Sequence, residues 1–186
     1  PIYKSEEQLE AISTVAQDIM KTLRSENISV KYDDRTTQRP GAKFAQHELQ
    51  GVPLRIAIGP KDLEKGTVEV ARRDTLSKTT FVLEGLSKEI KNLLTEIQES
   101  LYKRAFDFRD AHITEVDTFE AFKEVLEDKG GFISAHWDGT AETEQKIKDA
   151  TKATIRCIPY DAPEESGVCV LSGAPSKGRV LFAKAY

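Results

Sequence analysis

Cysteine is scarce in these 186 residues: only Cys157 and Cys169 occur, alongside three histidines, one tryptophan and one methionine. Two thiols cannot build a disulfide framework, so reduced cysteines are expected. Long apolar runs are missing as well. No stretch approaches the roughly 20 apolar residues of a membrane-spanning helix, and the opening PIYKSEE lacks the apolar region of a signal peptide. A cytoplasmic protein with no membrane partner is the expectation. Common catalytic signatures are absent too: there is no Gly-Lys-Ser or Gly-Lys-Thr phosphate loop, no GxGxxG, no nucleophile elbow and no HExxH. Neither cysteine lies near His47, His112 or His136 in sequence, which gives a thiol or metal enzyme little to stand on.

What is present is a local reversal of charge. The chain carries −4 overall, yet residues 35–78 hold nine Lys or Arg against five acids, leaving the remainder at about −8. Phe44 and His47 interleave with these cations. A basic surface with aromatic rings suits a folded or single-stranded RNA.

With 39% hydrophobic residues the chain can bury one large core or two small ones. Its first residues read as the tail of a β-strand, which predicts a piece cut from a longer chain. Ser5 to Gln8 fits a capping box, and Leu9, Ile12, Ala16, Ile19, Met20 and Leu23 recur at helical spacing to about residue 26. Ile28, Val30 and Tyr32 alternate and predict a strand. Two more are expected over 52–58 and 67–70, joined by a turn at Gly59-Pro60-Lys61-Asp62, before a long helix over 86–108. The character then changes. A short helix after Thr118, a strand over 132–135, a helix over 140–151 and strands over 154–158 and 180–183 make a second small α/β unit, interrupted by a loop over 160–178. Two domains, 1–104 and 105–186, are the expectation.

On a helix through 43–50, Phe44 and Glu48 share a face, with Lys43 and His47 adjacent. This face could stack a base, accept from guanine and meet phosphate, or it could be a core Phe beside a solvated acid. Arg72, Arg73 and Asp74 could close an ion-pair network or present a guanidinium fork. Spacing leaves both pairs of alternatives open.

The segments DDR (33–35), PGAKF (40–44), ELQGVPLRIAIGP (48–60), DLEKGTVEVARRDT (62–75) and Lys78 resemble the anticodon-binding domain of prolyl-tRNA synthetases. Trp137, TKATIRCIPYD (151–161) and RVLFAKAY (179–186) resemble the C-terminal domain of the archaeal and eukaryotic type of this class II enzyme. The resemblance implies an α/β fold: an anticodon-binding domain with a mixed sheet packed by helices, then a small zinc-binding-like α/β domain. It implies that proline tRNA is the partner, that the full-length enzyme is a dimer using ATP and Mg²⁺, and that the catalytic domain lies elsewhere in the same protein. This piece alone would be inactive. A stand-alone RNA-binding or protein-interaction module is the alternative.

Proline anticodons end in two guanines, so the resemblance points to Asp34, Arg35, Lys43, Phe44, Glu48, Arg55, Arg73, Asp74 and Lys78 as tRNA-binding residues. Phe44 would stack, Glu48 or Asp74 accept, and Arg73 or Lys78 donate. Tyr186 would dock its terminus on the catalytic domain. Two departures stand out near this block: His47 replaces the family's usual Trp, and Gln50 its Lys. Many relatives bind zinc through four cysteines that fall near Asp138, Thr143, Cys169 and Ser172. Only Cys169 survives, so no zinc and no other cofactor of this piece is expected.

Overall fold

The computed structural model describes residues 1–185, and the chain divides into two compact units, Pro1–Lys103 and Arg104–Tyr186. In the first unit, α1 (Glu6–Ser25) begins where Ser5 Oγ accepts from the Gln8 N–H at 3.3 Å, and Gln8 Oε1 accepts from the Lys4 N–H at 2.9 Å. α2 (Pro40–Leu49) starts on Pro40, whose missing N–H would have been unsatisfied at a helix start in any case. β1 (Leu54–Ala57) follows. The predicted turn at Gly59 is instead a short helix, α3 (Pro60–Lys65): Asp62 Oδ2 accepts from the Gly59 N–H at 2.8 Å, and Gly66, at φ 63°, ends it in the left-handed region. β2 (Thr67–Arg72) and β3 (Lys78–Val82) complete an antiparallel sheet in the order β1-β2-β3, with Arg55 opposite Ala71 and Val70 opposite Thr79.

Residues 28–32, expected as a strand, take no regular secondary structure and belong to no ladder among the described residues. Alternation predicts an extended backbone; only a neighbouring edge makes it a strand. β3 went unpredicted because its KTTFV run has only two apolar residues, adjacent rather than alternating: Val82 is exposed, and half-buried Phe81 is the sole inward anchor. The core of this unit is Ile12 and Leu23 of α1, Ile58, Val68 and Val70, and Leu86 and Ile90 from α4 (Leu86–Ala111).

The second unit holds β4 (Ile113–Glu115), α5 (Phe119–Glu127), β5 (Phe132–His136), α6 (Ala141–Thr151), β6 (Ala153–Cys157), β7 (Gly167–Val168), β8 (Pro175–Ser176) and β9 (Arg179–Lys184). Its four-stranded sheet runs β4-β5-β9-β6; β4 and β5 are parallel and the other pairs antiparallel. Thr118 and Thr140 cap α5 and α6 by accepting from Ala121 and Thr143 N–H groups. Phe122 and Phe182, both fully buried, meet edge to face at 5.2 Å. The loop expected over 160–178 contains the β7–β8 hairpin, too short to leave a periodic signal. Among the described residues no helix is long and apolar enough to cross a membrane.

Candidate nucleic-acid interface

Asp33 gathers three cationic or titratable side chains at the entrance to α2. Arg35 donates from Nη2 at 2.6 Å and Nε at 2.8 Å, His47 Nε2 lies 2.9 Å from Oδ2, and Lys43 Nζ lies 3.8 Å from Oδ1. Lys43 is only 4% exposed, and its Nζ donates to the Asp33 carbonyl at 3.2 Å. The Arg35 bonds, and then His47 and Lys43, hold the Asp33 carboxyl far below the usual carboxylate range despite its partial burial. Arg35 also reaches Gln46 Oε1 at 2.9 Å, and His47 Nδ1 lies 3.2 Å from the Gln50 amide oxygen. Asp33 was legible in the DDR run but was not singled out there.

A second cluster sits on the adjacent face of α2, on the residues that directly follow Lys43 and His47. The Arg55 guanidinium lies 3.8 Å from the centroid of the Phe44 ring, and its Nη1 donates to Glu48 Oε1 at 2.7 Å. Arg55 Nε is buried with no hydrogen-bond partner. Arg73 Nε donates to the Glu48 carbonyl at 2.8 Å, which brings β1, β2 and the end of α2 to one place. The Glu48 side chain remains 48% exposed. Phe44 is half-buried, between the two roles its spacing allowed.

Other expected residues stand differently. Asp74 is 4% exposed at its side chain and receives Arg72 Nε and Nη2 at 3.1 and 2.9 Å, while Arg72 Nη1 donates to Glu96 at 2.8 Å. Arg72 therefore closes an internal ion-pair network and holds the Asp74 carboxyl below its ordinary range. Lys78 is exposed on β3 and pairs with Glu69 at 3.2 Å. Asp34 is exposed beside Asp33. Tyr186 lies outside the described residues.

In the second unit Asp138, Thr143 and Ser172, three of the four positions near which the resemblance implies zinc ligands, meet through one carboxylate. Asp138 Oδ2 accepts from Ser172 Oγ at 2.6 Å and Thr143 Oγ1 at 2.7 Å, and Oδ1 accepts from the Thr140 N–H and hydroxyl at 3.0 and 2.8 Å. Burial acts to raise this carboxyl, but the donated bonds outweigh it and hold it well below the usual range. Two neutral hydroxyls turned toward one acid, with a single thiol at Cys169, do not fit a closed zinc site.

Residues 2–93 match the family described as Anticodon binding domain, which gives the class of the first unit's fold. Residues 119–186 match the family described as Prolyl-tRNA synthetase, C-terminal. Over all 186 residues the chain is 65% identical to the proline–tRNA ligase of Christiangramia forsetii, 63% to that of Flavobacterium johnsoniae and 55% to that of Parabacteroides distasonis. In each case it spans 38% of the relative's length. The chain belongs to the prolyl-tRNA synthetase family and corresponds to its C-terminal region.

Proposed function

We propose that this chain reads the anticodon of proline tRNA, and that the longer protein to which it corresponds attaches proline to that tRNA with ATP and Mg²⁺. The observation that carries the reading is the Phe44–Arg55–Glu48 cluster, with Arg73 tied to its edge. Guanine presents N1–H and N2–H2 donors on its Watson–Crick edge and O6 and N7 acceptors on the other. Glu48 uses one oxygen on Arg55 and keeps the rest of its carboxylate in solvent, where it can accept from that donor pair. Arg73 is exposed and supplies guanidinium donors to O6 and N7 or to phosphate. Arg55, 3.8 Å from the Phe44 ring centroid, extends the aromatic platform with a guanidinium beside which a base can stack.

Arg35 and Asp34 form the flank of this surface, where Asp33 balances the cations and buried Lys43 supports it from below. Lys78 is a phosphate contact in this reading; Asp74 acts indirectly, by anchoring the strand end that presents Arg73. Proline activation belongs to the catalytic domain of the same protein, which works as a cytoplasmic homodimer. No zinc takes part.

The test is a titration, at fixed salt, of the chain with proline tRNA transcripts bearing the normal anticodon and with transcripts whose two guanines are replaced. A loss of about 1–3 kcal/mol per guanine is expected. Equal affinities would sink anticodon reading.

A further inference from the structure

The two most exposed large apolar side chains of the first unit bracket Arg73. Leu49 is 89% exposed and Leu76 77%, more than any other large hydrophobic residue described in that unit. Leu49 is the last residue of α2 and directly follows Glu48, whose carbonyl accepts from Arg73 Nε at 2.8 Å. Leu76 belongs to the same loop as Arg73: the Arg72 N–H donates to the Ser77 carbonyl at 2.9 Å, so residues 73–76 form the tip between β2 and β3. A single leucine on a surface is ordinary, but two beside one guanidinium, at the edge of the Phe44–Arg55–Glu48 cluster, mark a place.

Leu76 is held there against its own backbone preference. Its φ is 58°, in the left-handed region, where a Cβ crowds the neighbouring carbonyl and glycine is the residue of least cost. Among the described residues only two other non-glycines share that sign: Asn27, of a type that tolerates it, and Lys152, the C-cap of α6. At so exposed a position no burial offsets the strain in Leu76. An uncompensated strain of this kind points to a use outside the fold.

The anticodon offers a target of matching chemistry. Proline codons share their first two bases and differ in the third, so the first anticodon base varies among proline tRNAs while the two guanines stay constant. A protein that serves all of them must hold that base without reading it. Donors and acceptors discriminate between bases; a leucine has neither, and every base presents a π-face on which an apolar side chain can pack.

We propose, resting on the anticodon reading given above, that Leu49 and Leu76 form an apolar rest for the first anticodon base and hold it whatever its identity. Discrimination stays with Glu48 and Arg73. The leucines add affinity common to all proline tRNAs, and Leu76 keeps its strained backbone because the tip of the loop must present an apolar side chain there.

The test is binding of the full-length protein, at fixed salt, to proline tRNA transcripts carrying each of the four bases at the first anticodon position. The variants are Leu76→Gly, Leu76→Met, Leu49→Ala and the pair Leu49→Ala with Leu76→Gly. Affinity should fall about fivefold for Leu76→Gly or Leu49→Ala and about twentyfold for the pair, equally for all four transcripts, and Leu76→Met should bind as wild type does. Leu76→Gly should also leave the unfolding of this unit at an equal or higher denaturant concentration, because it relieves the backbone. Transcripts with the two guanines replaced separate this proposal from the reading beneath it. If wild type binds them as tightly as normal transcripts, anticodon reading fails and the proposal falls with it. If wild type discriminates but the glycine and alanine variants bind as tightly as wild type, the leucines are idle and the proposal alone falls. A loss confined to one first base, a changed preference for the guanines, or a lowered unfolding midpoint in Leu76→Gly overturns it too: the leucines would then be reading a base, positioning Arg73 or serving the fold.

Discussion

Arg55 covers a face of Phe44 and holds Glu48 at the same time: the guanidinium lies 3.8 Å from the ring centroid, and its Nη1 donates to Glu48 Oε1 at 2.7 Å. An aromatic ring, a planar cation and a half-exposed acid are thus assembled before any ligand arrives. The arrangement reduces the ordering that binding must impose.

Phe44→Ala removes the base of this stack. It should weaken binding of proline tRNA by about 1–3 kcal/mol at constant salt, the range for loss of one base–aromatic contact. Arg55 would lose its seat too, so Arg55→Ala in the Phe44→Ala background should cost less than it does alone. An additive pair in this double-mutant cycle would mean the two side chains act separately.

Glu48→Gln keeps the shape and removes the charge. Its amide offers one acceptor and one unwanted donor to a guanine edge. The expected outcome is a selective change: affinity for the guanine anticodon falls about tenfold or more, while affinity for transcripts with the guanines replaced stays nearly constant. A uniform loss across all transcripts, measured in the same buffer, would make Glu48 a structural partner of Arg55 only.

The helix spacing of Phe44 and Glu48 and the adjacent Arg72-Arg73-Asp74 run could be read from the chain, as could both helix caps and the switch to a second α/β unit. Which arginine was committed inward could not. Arg72 and Arg73 differ in role only because β2 alternates, turning Arg72 toward Asp74 and Glu96 and leaving Arg73 beside Glu48. Nor could the pattern at 28–32 reveal a missing ladder, because alternation encodes an extended backbone and says nothing of a neighbour. The β7–β8 hairpin escaped for a different reason: two-residue strands are specified by their turn and by contacts such as Gly167 on His136, not by periodicity.

That Gly167 contact predicts a second-unit defect. A Cβ at Gly167 would stand 2.3 Å from His136 Nε2, and His136 is buried between Ser176 Oγ at 3.1 Å and Glu165 Oε1 at 3.5 Å. Gly167→Ala should therefore destabilise the second unit by about 1–3 kcal/mol through overpacking. Chemical unfolding followed at Trp137, which packs on that unit's core, reads the change. No shift of the transition would mean that the hairpin lifts off the sheet without loss.

Asp33 gives a pH signature. Its folded carboxyl titrates below the usual value of about 4, chiefly because Arg35 donates to it, so the unfolded chain takes up that proton first as the medium is acidified. The stabilisation is complete above the unfolded pKa and is lost as pH falls below about 4 toward the folded pKa. Wild-type stability should decline through that window, and Asp33→Asn should start lower and decline less steeply. Parallel slopes for the two proteins, from unfolding curves at several pH values, would remove Asp33 from the account.

The Asp138 carboxylate accepts four bonds from Thr140, Thr143 and Ser172. Asp138→Ala leaves three hydroxyls and an N–H without their acceptor, and should cost about 2–4 kcal/mol. The geometry also makes a positive prediction. Ser172 lies three residues after Cys169, with the Gly173 N–H donating to the Cys169 carbonyl at 3.0 Å between them in the fold, so the two positions share one tight turn. Asp138 and Thr143 already meet Ser172. Replacing all three (D138C, T143C, S172C) should therefore gather four thiolates and capture zinc tetrahedrally. Elemental analysis should find one zinc per chain in this variant and none in the wild type, and chelation should lower the melting temperature of the variant alone. A variant that stays metal-free would mean that the Cys169 thiol, buried in the present fold, does not turn toward the other three.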